Sequence, residues 1–310
     1  MRRNILKAAA CVSWLALTGL AQAASVTLTP GSAQTTLLQD PAGSGRTVTL
    51  SLPGGGTTHL EFSNGTGVLG GLPADPLEVY GFVSAANAFA SKLTSQGGAI
   101  INEKAVNDAA GTPSRVYISV DANIASASFD STTGVISSLS STGSFTLTNP
   151  LVRPVSNGGT VTVSKLRVDL VNKVVYGDLV MVYKTVNATT RVTSTVNSTL
   201  NNVAIWNFDS VQGPTTIPVA ALTTGNTTQI KSLGYEVLPN GRNGLDYSAT
   251  IKVLNLRVTN AGLAALINGF GAGSTTIGKT LLSSINSEVD GWGSLVLTNK
   301  LSTAAPQCPL

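Results

Sequence analysis

The stretch GGTVTVSKLRVDLVNKVVYGDLVMVY, residues 158–183, has the most regular pattern in the chain. Apolar and polar residues alternate along it, which predicts two half-buried β-strands joined by a tight turn at 171–173. The alternation changes parity at Ser164-Lys165, which predicts a β-bulge or a strand that crosses between two faces. Residues 179–183 are apolar on both parities and are predicted to be buried on both sides. We interpret the whole stretch as scaffold, because it contains no motif of reactive side chains.

The same pattern recurs further along the chain. TVTVSKLRVD (160–169) aligns without gaps to TIKVLNLRVT (250–259), and the parity changes at the same position in both. GSFTLTN (143–149) and GSLVLTN (293–299) match at five of seven positions. These matches predict two related β-units within one architecture.

Short β-branched runs separated by Gly, Pro and Asn turns fill most of the remaining sequence. The fold class predicted from this pattern is mainly β, either a β-sandwich or two related β-units. A helix is expected near 76–96, where Asp75-Pro76 resembles a helix start and apolar residues recur at helical spacing. Short helices are expected near 260–285, the first of them capped by Thr259.

The first 23 residues have the three parts of an export signal. Arg2, Arg3 and Lys7 precede an apolar run, and Ala21-Gln22-Ala23 is a small-x-small cleavage site. We therefore expect a single mature β-rich region over 24–310, with two β-units at about 24–142 and 143–300. No later stretch approaches eighteen apolar residues, so no transmembrane segment is expected after removal of the signal.

The charge of the mature chain excludes one class of partner. Three of the 19 Lys and Arg lie in the signal, which leaves 16 against 15 Asp and Glu. A net charge near +1 gives no electrostatic basis for binding nucleic acid. Cys308 is the one cysteine outside the signal, so no internal disulfide is expected, although two chains could be bridged through it.

The sequence has few groups for catalysis or metal binding. His59 is the sole histidine, and with Glu61 on the same strand face it makes at most half a metal site. A pair of carboxylates can suffice for glycoside hydrolysis, but no pair stands out among the candidates Glu61, Asp169, Asp178 and Asp209. No catalytic residue, metal ligand or cofactor is predicted.

Aromatic side chains are the remaining candidates for ligand binding. Trp206 and Phe208 are two residues apart and could form a stacking platform on one strand face, and Trp292 lies at a predicted turn. The alternative is that Trp206 and Phe208 belong to the core.

Three stretches resemble exported proteins of proteobacteria: residues 158–180, LNNVAIWNFDSVQGPTT (200–216) and LNLRVTNAGLAALINGFG (254–271). Many proteins of that kind end in a PEP-CTERM sorting tail and are surface or secreted β-proteins. The residues after Lys300, LSTAAPQCPL, lack the Pro-Glu-Pro, apolar span and basic end of such a tail. LTNPLV and LRVTNAGLAAL are also loosely similar to HtaA-type haem-binding β-domains.

The function expected from these observations is that of an exported, non-enzymatic structural or adhesive protein of the cell surface or extracellular matrix. Its expected partners are further copies of itself or surface glycans. One alternative is a secreted module that binds a glycan or a small hydrophobic ligand such as haem, and another is a secreted hydrolase that uses a carboxylate pair. The expected location is outside the cytoplasm, either secreted, at the cell surface or in the periplasm.

Overall fold

The computed structural model describes residues 25–31, 36–39, 47–52, 55–62, 89, 91–107, 113–187, 189–239, 245–287 and 291–303. The predicted export signal, Cys308 and most of the helix expected near 76–96 lie outside these residues. The described strands, in chain order, are β1 (Ser25–Leu28), β2 (Thr36–Gln39), β3 (Thr47–Ser51), β4 (Gly56–Phe62), β5 (Lys92–Gln96), β6 (Ile100–Asn107), β7 (Pro113–Asp130), β8 (Ile136–Ser141), β9 (Ser144–Val152), β10 (Ser156–Asp169), β11 (Val174–Val186), β12 (Thr193–Gln212), β13 (Glu236–Pro239), β14 (Leu245–Val258) and β15 (Gly293–Thr303). The described helices are α1 (Val219–Thr224), α2 (Thr227–Ser232), α3 (Asn260–Gly269), α4 (Thr276–Ser284) and a 3₁₀ turn at Ile285–Ser287.

The strands form one continuous antiparallel network, so the fold is mainly β, as predicted. Eight of the strands pair in a closed circuit, in the order β14, β12, β11, β10, β8, β7, β4, β15 and back to β14. Strands from the two predicted units pair with each other, β8 with β10 and β4 with β15. The two units therefore contribute to a shared sheet.

The parity change in the opening stretch is a β-bulge, which is the first of the two alternatives that the sequence left open. The register of β10 against β11 shifts between Ser164 and Arg167, so that Lys165 and Leu166 together lie opposite Gly177. Lys165 has a φ of 51°, in the left-handed region. Because the bulge adds one residue, the buried positions of β10 change parity while remaining on one side of the sheet: Val161, Val163, Leu166 and Val168.

The two aligned pairs of stretches have the same pairing. β9 lies beside β10 as β15 lies beside β14, although β9 precedes its partner in the chain and β15 follows its own. At aligned positions Thr160 pairs with Thr148, and Thr250 pairs with Thr298. Asn255, which aligns with Lys165, also has a left-handed φ, of 58°. The two aligned stretches therefore share a local strand pairing and a left-handed residue, although β14 keeps a regular register against β12 at this point.

The helices α3 and α4 confirm the short helices expected near 260–285. The Thr259 hydroxyl caps α3 by accepting a 3.0 Å hydrogen bond from the backbone N–H of Gly262. Two glycines allow α3 to lie against the strands. A Cβ on Gly262 would be 2.4 Å from the carbonyl oxygen of Ile205, and one on Gly269 would be 2.4 Å from Cγ2 of Val161.

The helix expected near 76–96 does not reach its predicted end. Residues Lys92–Gln96 form β5, which pairs with β9 from Lys92–Thr148 to Gln96–Ser144. The Gly97-Gly98 pair, interpreted from sequence as a helix stop, instead forms the turn between β5 and β6. Pairing with a distant strand outweighs the local helical pattern here.

The burial predicted on both sides of residues 179–183 is also wrong. Leu179 and Met181 are buried, whereas Val180 and Val182 are 43% and 39% exposed. The reason is that this part of β11, which lies between β10 and β12 in the sheet, has only one face packed against the core. Elsewhere the core is closely packed, for example at the edge-to-face contact of Phe62 and Phe145, whose ring centroids are 5.8 Å apart.

Within the described part of the chain, no helix has the length and apolar character needed to cross a membrane.

Candidate functional site

The three aromatic residues proposed as ligand contacts are all buried. Trp206, Phe208 and Trp292 are 2%, 3% and 1% exposed. Ile205, at the irregularity of β12 just before Trp206, is fully buried as well, and α3 packs against the strand at this point. None of the three aromatic rings presents an open face on which a glycan or haem could stack.

His59 has a different acidic neighbour from the one expected. It lies directly across from Asp121 of β7, and its Nδ1 is hydrogen-bonded to Oδ1 of that carboxylate. The amide of Asn102 donates a 2.8 Å hydrogen bond to the other oxygen, Oδ2. The side chains of His59 and Asp121 are 31% and 42% exposed and lie on an open sheet face. This arrangement orients an imidazole, but it has no enclosed cleft in which a substrate could be desolvated.

Sequence analysis missed Asp121 because the two residues are 62 positions apart and belong to different strands. Both positions carry outward-facing polar residues of an alternating strand, and alternation does not reveal which strands are neighbours. Only the register of β4 against β7 identifies the pair.

Three of the four carboxylates considered for a hydrolase form ion pairs with separate basic residues. Asp178 is 2.8 Å from the Lys165 ammonium, Asp169 is 3.6 Å from the Arg167 guanidinium, and Asp209 is 3.7 Å from that of Arg257. Among the described residues, no three His, Cys, Asp or Glu side chains lie close enough together to hold a metal ion.

Hydrogen bonding lowers the pKa of two of these acids. For Asp178 the main cause is the hydrogen bond from Lys165, followed by the 2.7 Å bond from the backbone N–H of Asn202. Burial acts to raise the pKa of Asp169, but hydrogen bonds from the backbone and side chain of Asn172 outweigh it and the pKa is lowered. A general acid in glycoside hydrolysis needs a raised pKa, so these two acids are poorly suited to that role.

A surface groove of about 410 Å³ lies where the β10–β11 turn approaches the loop after β12. Its volume is within the range of small-molecule sites. However, the groove is wide open, and the ammonium of Lys173 within it already donates a 3.2 Å hydrogen bond to the Asp209 carbonyl oxygen. No set of polar groups converges on a single point in it. The lining residues are Val135, Ile136, Leu170, Val171, Lys173, Asp209, Ser210, Val211 and Thr215.

Among the described strands, β12 has a long edge without a strand partner. This strand pairs with β11 from Thr193 onward, whereas it pairs with β14 only from Trp206 onward. The carbonyls of Ala204 and Ile205 accept hydrogen bonds from the side chain and backbone of Thr259. No described strand pairs with residues 193–203 on the side away from β11, and we call this side the β12 edge.

From Thr193 to Leu200 the β12 edge has none of the features that usually prevent strands from pairing at an edge, and its irregularity is confined to the residues near Asn202. Its sequence, TSTVNSTLNNV, contains no charged residue and no proline. Most of its side chains are exposed, including Leu200 at 39%. Its register against β11 is regular from Thr193 to Leu200, so no bulge twists this part away. Sequence analysis missed this edge because strands without a buried face lack apolar alternation.

No protein-family model matches the chain, and neither a curated protein nor a solved structure matches it. Two resemblances therefore stay predictions. One is to exported proteobacterial β-proteins of the kind that often have a PEP-CTERM tail, and the looser one is to HtaA-type domains.

Proposed function

We propose that the mature chain is an exported, non-enzymatic structural protein that assembles with itself outside the cytoplasm. The proposal combines the export signal predicted for residues 1–23 with the uncharged, exposed β12 edge. The edge is the observation that carries it. Exposed backbone N–H and C=O groups along a strand are a template for pairing with another chain.

Two other features of the described residues support an assembly role over catalysis or ligand binding. His59 and Asp121 lie on an open sheet face, and the three candidate aromatic residues are buried. The described strands otherwise form a closed network of antiparallel pairs, which is suited to a stable scaffold. A role in adhesion follows if assembly takes place at the cell surface, where surface glycans are further candidate partners.

The proposal is tested by expressing the full chain with a C-terminal epitope tag in a Gram-negative host. A matched variant begins at Ala24 and lacks the signal. We expect the full chain to leave the cytoplasm with an N-terminus near Ala24, and the matched variant to remain inside. The purified exported form should sediment as species larger than a monomer, in proportions that rise with concentration.

Two results would overturn the proposal. One is a full-length chain that stays in the cytoplasm with residues 1–23 attached. The other is an exported chain that remains monomeric at every concentration tested.

A further inference from the structure

We infer that the β12 edge pairs antiparallel with the β12 edge of a second copy, about a two-fold axis through Val196. This inference rests on the proposed assembly function and specifies its contact. Such a contact is isologous, since the same strip of backbone contributes both sides of the interface.

The sequence of the edge is suited to this self-pairing. In an antiparallel pair about a perpendicular two-fold axis, residues directly opposite share a face and so have the same parity. With Val196 opposite itself, Val192 lies beside Leu200, Thr193 beside Thr199 and Ser194 beside Ser198. Apolar residues thus meet apolar ones, and hydroxyl residues meet hydroxyl residues, which are favourable cross-strand pairs.

The charges near the edge do not oppose one another in this register. Arg191, at the exposed tip of the β11–β12 hairpin, lies opposite Asn201. Lys184 of β11 lies across from Thr195, one strand in from the edge. The two Lys184 residues of a dimer are then three strand spacings apart, about 14 Å, which exceeds the screening length of about 8 Å at physiological salt.

The size of the contact sets its expected strength. The regular segment from Thr193 to Leu200 is about 27 Å long at the usual rise per residue. A single added strand of this length lies at the small end of specific interfaces, so pairing is expected to be reversible and to depend on concentration.

The test uses opposite charges at the axis. Val196→Lys places two ammonium groups directly across the axis, and Val196→Glu places two carboxylates there. The dissociation constant of each variant alone should be about tenfold higher than that of the wild type, because like charges directly opposite one another repel. An equimolar mixture of the two variants should regain association, since Lys then faces Glu. Val171→Lys, at an exposed residue of the β10–β11 turn, is the matched control and should associate like the wild type.

A second measurement locates the axis. In a Cys308→Ser background, Val196→Cys should form a disulfide-linked dimer on mild oxidation, because residues facing one another across paired strands have Cα separations of about 4.5–5.5 Å. Val171→Cys in the same background should remain largely unlinked.

The outcomes separate the two proposals. A wild-type chain that does not associate contradicts the proposed function. The wild-type chain and both Val196 charge variants could instead associate equally well. That result would contradict pairing through the β12 edge, but not the proposed self-assembly. Loss of association in both variants without recovery in the mixture places the axis at another residue and overturns the Val196 register.

Discussion

The backbone N–H of Asn202 donates a 2.7 Å hydrogen bond to carboxylate oxygen Oδ1 of Asp178. Asn202 lies in an irregular part of β12 and has a left-handed φ of 49°. The other carboxylate oxygen, Oδ2, is 2.8 Å from the ammonium of Lys165, the bulge residue of β10. One side chain on β11 therefore holds the irregular segments of both neighbouring strands.

Replacing Asp178 should reveal which of its two contacts matters more. The Asp178 side chain is 15% exposed, whereas Lys165 is 80% exposed. We expect Asp178→Ala to lower the free energy of unfolding by about 2 kcal/mol, because the Asn202 N–H loses a charged acceptor. Lys165→Ala should cost less than about 1 kcal/mol, as is usual for an exposed ion pair. Urea denaturation of both variants measures the difference, and equal losses would contradict this division.

Stability should fall in acid. The pKa values of Asp130, Asp169 and Asp178 lie below the ordinary value of 3.8, chiefly because of hydrogen bonds to their ionised forms. A lowered pKa in the folded state contributes stability above the unfolded-state pKa, and this is lost as pH falls through the folded-state pKa. The urea midpoint should thus be steady from neutral pH to about pH 5 and decline below about pH 4. Asp178→Asn should make the decline shallower, and a midpoint that rises on acidification would count against the assignment.

Gly262→Ala should disturb the docking of α3. The added Cβ would lie 2.4 Å from a backbone oxygen of Ile205, which cannot rotate away. A loss of about 1–3 kcal/mol is expected, as for overpacked cores. Gly273→Ala is the matched control, because its Cβ would meet only the side-chain oxygen of Asn268, which can move. Thermal denaturation should show a clear shift for the first variant and little for the second.

Asn255 should tolerate glycine and reject a β-branched residue. Its φ of 58° is accessible to Asn and Gly but strained for Val. We expect Asn255→Val to cost about 1–2 kcal/mol of stability and Asn255→Gly to stay within about 0.5 kcal/mol of the wild type. Thr250→Val, at an exposed position of the same strand with ordinary backbone angles, is the comparison. Similar losses for Val at both positions would show that backbone conformation is not the cause.

The tryptophan fluorescence of the mature chain should resist quenching by iodide. Its two tryptophans, Trp206 and Trp292, are 2% and 1% exposed, and Trp14 is absent once residues 1–23 are removed. Quenching should remain low in the native protein and rise at the unfolding midpoint. Strong quenching of native protein, or a shift of emission on adding haem or a glycan, would instead favour a binding module.

The local features of the fold were predictable where the pattern itself contains the answer. The parity change at Ser164-Lys165 requires an extra residue if the buried side is to stay the same, and the structure has a bulge there. The same reasoning applied to 250–259 predicted a related segment, which pairs with β15 in the register of β10 with β9. Thr259 was recognisable as a helix cap, because its hydroxyl is followed by a helical apolar pattern.

Other features could not be predicted, because they depend on partners that are distant in the chain. The outward-facing polar residues of strands are interchangeable in sequence, so nothing marked Asp121 as the neighbour of His59. The segment Lys92–Gln96 followed a helical pattern until pairing with β9 made it a strand. The burial of Trp206 depends on the core packed around it. The apolar content of the strand alone is compatible with either a buried ring or an exposed one.

The sequence by itself determined the mainly β fold class, the change of parity at Ser164-Lys165 and the positions of the C-terminal helices, because alternation, turn residues and caps act over a few neighbouring residues. The tertiary structure alone decided that the twenty-residue strand β12 extends past β14 and leaves residues 193–203 unpaired with any described strand on that side. Strand pairing is formed by backbone groups that are the same in nearly every residue, so a sequence specifies that a strand will pair far better than which strand it will meet.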